Sequence, residues 1–347
     1  MTENPGKARL EALDFLRGWA ITAVILDHLK VVPEPAVVWP VNLFVLLTAA
    51  VYSVPGYRFT AGKLFLKLAH LVFIYKIALL SFTGLFRLKI YEFLAHPSFK
   101  VLLSPHSLFV NNPYLGDIWY ITLHLQILVL TFFFLKSHAR LYAGRVFLIS
   151  TAVTLVSFTL SHFFGRFHTI FVSAWLFYLA AGFYGMMPLL NWIRLQDRHR
   201  KTILAAASLV ILLVYSQYSR APWAFTNENR ALPILLPLYI ALVFFFGELF
   251  YLMERSAWGR FFNRGVALIG RYTLAIYLTH HAFALAWGPF FPSLPVRVFP
   301  VLLSSLAFGI LAGRIFVFFQ KKIEKARGYP PEAARPLVPL SSGRPSF

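Results

Sequence analysis

Arg17 and His28 stand eleven residues apart in one apolar run, Leu16-Arg17-Gly18-Trp19-Ala20-Ile21-Thr22-Ala23-Val24-Ile25-Leu26-Asp27-His28. An ionisable group in hydrocarbon costs about 2.5–3.5 kcal/mol even on the lenient insertion scale, so its presence in such a run is informative. On a helix, eleven steps return His28 to within about 20° of Arg17's azimuth and lift it about 16 Å along the axis. Asp14 shares that face. One stripe therefore carries a guanidinium near one end and an imidazole well inside. Spacing alone is equally met by a snorkelling arginine and a single buried histidine.

Two more segments carry imidazoles at comparable depth. His124 follows Asp117, Trp119, Tyr120 and Thr122, and the pair His280 and His281 follows Tyr272 and Tyr277. A histidine with a near-neutral pKa can take a proton from a hydroxyl, an effect of about 10²–10⁴-fold in rate. A proton-coupled transporter could instead use His and Glu248 as a relay. Zinc ligation would be signalled by His-x₃-His or His-Glu-x-x-His; neither occurs, so no metal is expected. Cys is absent, which excludes thiolate chemistry and disulfides. No P-loop, Gly-x-Ser-x-Gly or Gly-x-Gly-x-x-Gly pattern is present. A second group, Arg17, Arg58, Lys63, Lys67, His70 and Arg271, suits a phosphorylated ligand, although the positive-inside rule alone also predicts such cations.

The elements that must position these groups are membrane helices. Of 347 residues, 59% are hydrophobic and 13% charged, with mean hydropathy +0.66. A soluble domain would need more polar surface, and the apolar runs are continuous where barrel strands would alternate. The expectation is an all-α bundle of ten spans, about 15–33, 37–55, 64–85, 115–135, 143–162, 169–190, 202–218, 231–252, 266–288 and 297–319. With the N-terminus in the cytoplasm, 23 of the 33 Lys and Arg residues fall inside and 8 outside, Lys76 and Arg314 lying within spans. Both termini are then cytoplasmic, and the net charge of +20 reflects this asymmetry rather than nucleic-acid binding. The first run lacks a cleavage signature and reads as a retained helix. Two long outer loops, 86–114 and 219–230, could face an acceptor. One domain is expected over residues 1–327, followed by a disordered cytoplasmic tail at 328–347.

Leu13-Asp14-Phe15-Leu16-Arg17-Gly18 followed by His28 resembles the Arg-x₁₀-His signature of acyltransferase family 3 membrane proteins, usually phrased near Leu-Asp-x-x-Arg-Gly. Gly270-Arg271-Tyr272-Thr273-Leu274-Ala275-Ile276-Tyr277-Leu278-Thr279-His280 is similar to that family's Gly-x-x-Ser-Tyr-x-x-Tyr-Leu-x-His stretch. Val41-Asn42-Leu43-Phe44 through Thr48 resembles its second-helix phrase, and Trp119 to His124 falls where the family has Trp-x-Leu-x-x-Glu. The chain departs at Lys67-Leu68-Ala69-His70, where the family has Arg-x-x-Arg, and at Thr48-Ala49, Asn42 and His124, where it has Ser-Gly, an acid and Glu.

The resemblance implies a ten-helix bundle of the cell inner membrane. It would move an acyl group from cytoplasmic acyl-CoA to a hydroxyl of a glycan or glycolipid at the outer face, possessing features of the periplasmic glucan succinyltransferase branch. Acyl-CoA is then a substrate, and no permanently bound cofactor is expected. By position, His28 is the catalytic imidazole, with Asp27, Asp117, His124 and His280 as candidates to orient it. Asp27 is the least well placed, about 100° off the stripe. Arg17, Lys63, Lys67 and His70 would meet the donor's phosphates. Asp117, Trp119 and Tyr277 would lie on the acceptor side. The alternative is a transporter or flippase for a lipid-linked or anionic solute.

Overall fold

The computed structural model describes residues 5–31, 40–53, 60–85, 119–136, 143–164, 175–218 and 236–326. All regular elements among these are helices, as the composition requires. They are α1 (Pro5–His28), α2 (Pro40–Tyr52), α3 (Ala61–Leu85), α4 (Trp119–Lys136), α5 (Ala143–Phe164) and α6 (Leu176–Leu195). Then follow α7 (Arg198–Tyr218), α8 (Leu236–Met253), α9 (Ala257–Arg271), α10 (Thr273–Trp287) and α11 (Leu294–Ala326). The loops 86–114 and 219–230, Asp117 and the tail 328–347 lie outside the described residues.

α1 is the hub. It packs against α2, α8, α9, α10 and α11. Leu13, Phe15, Leu16, Ala20, Ile21 and Ile25 are consequently all fully buried, although they point around the whole circumference. The predicted span 15–33 overshoots the helix end. Lys30 takes φ 53°, Val31 N–H donates to the Leu26 carbonyl (2.9 Å), and Lys30 N–H donates to that of Asp27 (2.8 Å). This is a Schellman stop, which the sequence hides because lysine stands where glycine is usual. It leaves His28 in the last turn of α1, where the negative end of the helix dipole favours positive charge.

The predicted ninth span, 266–288, is two helices. α9 begins at Ser256, whose Oγ accepts from Gly259 N–H (2.9 Å), and ends where Tyr272 leaves helical geometry (φ −102°, ψ 15°). One face of α9 is small and polar, with Gly259, Asn263, Ala267 and Gly270 buried; the other exposes Trp258 (83%) and Phe261 (73%). The small face lies directly on α1. A Cβ at Gly18 would collide with the Val266 carbonyl, and one at Gly270 with the Asp14 carbonyl. The apolar run from 266 concealed this break, because periodicity changes there from amphipathic to uniformly apolar without a proline.

α6 contains a π-turn at Gly182–Met186, directly before Pro188. Widening the helix there accommodates a proline that can neither donate to the preceding turn nor avoid its carbonyl. The absent side chain of Gly182 lets this turn touch the α2 backbone at Leu46. At the far end, Arg297 binds the carbonyls of Phe291 (2.8 Å), Pro292 and Gly288 and so ties the α10–α11 turn.

Among the described residues, three helices are long and apolar enough to cross a membrane, Leu176–Leu195, Leu236–Met253 and Leu294–Phe319. Asn42–Tyr52, Leu64–Ile74, Leu123–Phe133 and Gly144–Ser157 are shorter apolar helices. Leu148 and Val156 on α5, Val210 and Val214 on α7, and Phe299 and Leu311 on α11 stand exposed, as outward faces do when lipid is the solvent.

The contact of α9 on α1 makes a paired prediction. Gly270→Ala should lower the thermal stability of the detergent-solubilised protein by about 1–3 kcal/mol, because the added methyl meets backbone. Gly265→Ala, on the same helix with open space around it, should raise stability by up to about 1 kcal/mol. Equal shifts for the two would contradict the docking of α9.

Candidate active site

His28 and His280 meet across α1 and α10. His28 Nδ1 lies 2.6 Å from His280 Nε2, with ring centroids 4.9 Å apart and planes 19° from parallel. The centroid separation is close to the hydrogen-bond length plus two ring radii. The rings therefore meet edge to edge in one plane, the alignment a strong hydrogen bond requires.

The backbone of α10 selects the tautomers. His280 Nδ1 is 2.7 Å from the Tyr277 carbonyl and 3.2 Å from that of Ile276. Carbonyls only accept, so Nδ1 carries the proton and donates to both in bifurcated fashion. A neutral His280 then offers Nε2 as an acceptor, and His28 must donate from Nδ1. The remaining nitrogen, His28 Nε2, is left as a proton acceptor. A chain of two hydrogen bonds, running from a helix carbonyl to the end of α1, sets which nitrogen of His28 can act as a base.

His281 completes a three-ring group. Its centroid lies 4.5 Å from that of His28 and 4.4 Å from that of His280. His280 is buried, whereas His28 and His281 are half-buried. Tyr277 is buried with its ring 5.7 Å from that of His280. His281 is the other half of the sequence doublet; neighbours on a helix diverge by about 100°, and the two rings belong to one group because the His28 ring lies against each of them.

The cationic groups sit lower on α1. Arg17 lies 3.8 Å from Asp14, and its buried Nε has no hydrogen-bond partner among the described residues. Arg271 Nε donates to Asp14 (3.1 Å) and its guanidinium lies 3.9 Å from Glu11. Lys67 lies over the Tyr52 ring (5.2 Å) and acts electrostatically on His70, whose ring packs on Phe316. Arg17 and Lys67 both act on buried His124, so that imidazole joins the cationic end of the site. Lys63 lies one turn before Lys67 on α3, and Trp119 opens α4. Asp27 is half-buried in the last turn of α1.

Glu248 is fully buried on α8, and neither of its oxygens has a hydrogen-bond partner among the described residues. Its electrostatic neighbour is Lys201, which donates to the Arg194 carbonyl (3.1 Å). Phe15 meets Phe250, and Trp19 stacks on Phe246, so Glu248 stands level with residues 15–19 of α1. It is more than two turns below His28, which separates it from the His28–His280–His281 group.

No curated protein and no solved structure matches the chain. A family described as an acyltransferase domain matches residues 10–314, a span that takes in α1, with the Arg17 and His28 stripe, and α10, with its facing imidazole. The chain therefore belongs to the acyltransferase 3 family, and it is an acyltransferase.

Proposed function

We propose that this acyltransferase takes an acyl group from cytoplasmic acyl-CoA and delivers it to a hydroxyl of a glycan or glycolipid at the outer face of the cell inner membrane. In this reading ten spans cross the bilayer with both termini in the cytoplasm. The observation that carries it is the His28–His280 hydrogen bond, which orients one basic nitrogen near the end of the hub helix. The donor's phosphates would meet Arg17, Lys63, Lys67 and His70, with the thioester lying near His28. Asp117, Trp119 and Tyr277 would face the acceptor.

The step balances without further reagents. His28 Nε2 takes the proton of the acceptor hydroxyl as its oxygen attacks the thioester carbonyl. The tetrahedral intermediate collapses, the carbon–sulfur bond breaks, and the thiolate takes the proton from His28 to leave as the free thiol. During the step the imidazolium keeps its Nδ1–H on His280. The carbonyl end of α1 stabilises the same transient positive charge.

Two outcomes are expected with radiolabelled acyl-CoA and membranes supplying acceptor. His28→Ala should reduce transfer to the acceptor by about 10²–10⁴-fold while expression and elution on gel filtration are preserved. His280→Ala should reduce kcat and leave the donor KM close to wild type, because His280 orients the base and does not hold the donor. Wild-type turnover in His28→Ala would end the assignment, and label accumulating on His28 without acceptor would make it a nucleophile instead.

The phosphate-binding role has its own readout. Arg17→Gln should raise the KM for acyl-CoA by about tenfold or more, the loss of one charge-assisted contact, and the rise should shrink for a donor lacking the nucleotide phosphates. An unchanged KM would place the donor elsewhere. Solute flux in proteoliposomes lacking any acyl donor would favour a transporter.

A further inference from the structure

We propose that His28, His280 and His281 form a binding site for a divalent ion of the zinc class, and that occupancy switches off His28 as a base. The ligand atoms of the three side chains lie within 4.8 Å of one another. They come from two helices, so no ligand-spacing motif could announce them. All three are neutral-imidazole donors of the kind that suits zinc, with no thiolate or carboxylate required.

The second observation is the anchoring of His280. A metal-bound histidine almost always donates its other ring N–H to a carbonyl or carboxylate, which fixes the tautomer and aims the ligating nitrogen. His280 already does this through Nδ1 and the Tyr277 carbonyl, 2.7 Å away, with Nε2 aimed at His28. The 2.6 Å gap between His28 Nδ1 and His280 Nε2 holds a proton as it stands. Two nitrogens on one tetrahedral zinc are about 3.3 Å apart, given bonds of about 2.0–2.1 Å. Small rotations of the two side chains provide that opening, and His281 closes toward the same point as third ligand. Water would complete the tetrahedron.

The ion replaces the shared proton. Ligation through His28 Nδ1 sends the single proton of neutral His28 to Nε2, with no net proton released. Nε2 is then a donor and cannot accept from a hydroxyl. Zinc should thus inhibit transfer reversibly, a consequence that rests on the catalytic reading above, whereas the binding itself does not.

The test uses the full-length protein in detergent, titrated with Co²⁺ as a visible probe and with Zn²⁺ in competition. One Co²⁺ per chain with the intense visible absorption of a tetrahedral site is expected, displaced by Zn²⁺. His281→Phe keeps a ring in place without a ligand nitrogen and should weaken binding by about tenfold or more, with inhibition by Zn²⁺ moving in parallel. His281→Asn serves as the second variant if the first elutes as aggregate. Absence of the tetrahedral spectrum, or equal affinity in wild type and the His281 variant, would overturn the proposal. Metal binding without any acyl transfer would leave this site standing and remove the function proposed above; transfer without a tetrahedral Co²⁺ spectrum would do the reverse, and metal binding with zinc-insensitive transfer would overturn the switching of His28.

Discussion

The close approach of α9 to α1 is the constraint on which the site depends. Gly18 and Gly270 remove the side chains that would hold the two backbones apart, so Val266 and Asp14 present carbonyls where a Cβ would otherwise sit. Docking α9 this tightly fixes where the chain turns at Tyr272, and Thr273 Oγ1 fastens that turn to the Gly270 carbonyl (2.6 Å). α10 then starts at a determined height and rotation. Seven residues after Thr273, His280 reaches His28. A slip of one residue would rotate the imidazole by about 100° and break the in-plane hydrogen bond.

The two sequence motifs are, on this geometry, complementary halves of one contact. Asp14 of the first accepts from Arg271 of the second (3.1 Å), Gly18 meets Val266, Gly270 meets Asp14, and His28 meets His280. The ion pair at the lower end is directional more than strong, since Arg271 is half exposed and such pairs contribute about 0–1 kcal/mol. Its use is registry: the glycines permit the approach, and Asp14 discriminates among the ways α9 could slide. Arg17, three residues on from Asp14, is drawn to the same carboxylate while its Nε stays buried.

What was legible in the sequence follows from what each signal encodes. Helix identity was readable because uniform apolar runs leave little choice in lipid. The stripe joining Arg17 and His28 was readable because both lie on one helix, where spacing converts to angle. His280 was suggested by its motif, yet its partner, its tautomer and the third ring at His281 depend on how α10 sits against α1. No local pattern carries that information. The end of α1 was missed because Lys30 adopts a conformation that glycine normally announces, and the split of the ninth span because Tyr272 breaks the helix without a proline. His124 looked equivalent to His28 by depth. In the folded chain it lies within the electrostatic reach of Arg17 and Lys67, an association across α1, α3 and α4.

Pairing an imidazole with another imidazole has a physical logic in a membrane. A carboxylate partner would hold His28 equally well but would bring a permanent charge into a site of low polarity, where desolvation of an ion is costly. A neutral His280 commits its own proton to helix carbonyls that already belong to the structure. With His28 neutral as well, the pair carries no net charge. Positive charge develops on His28 only as it accepts a proton, at the carbonyl end of α1, where it is best tolerated. The same economy exposes the pair to a competing cation: two nitrogens sharing one proton differ from two nitrogens sharing a metal by less than an ångström of separation, and His281 is close enough to tip that choice.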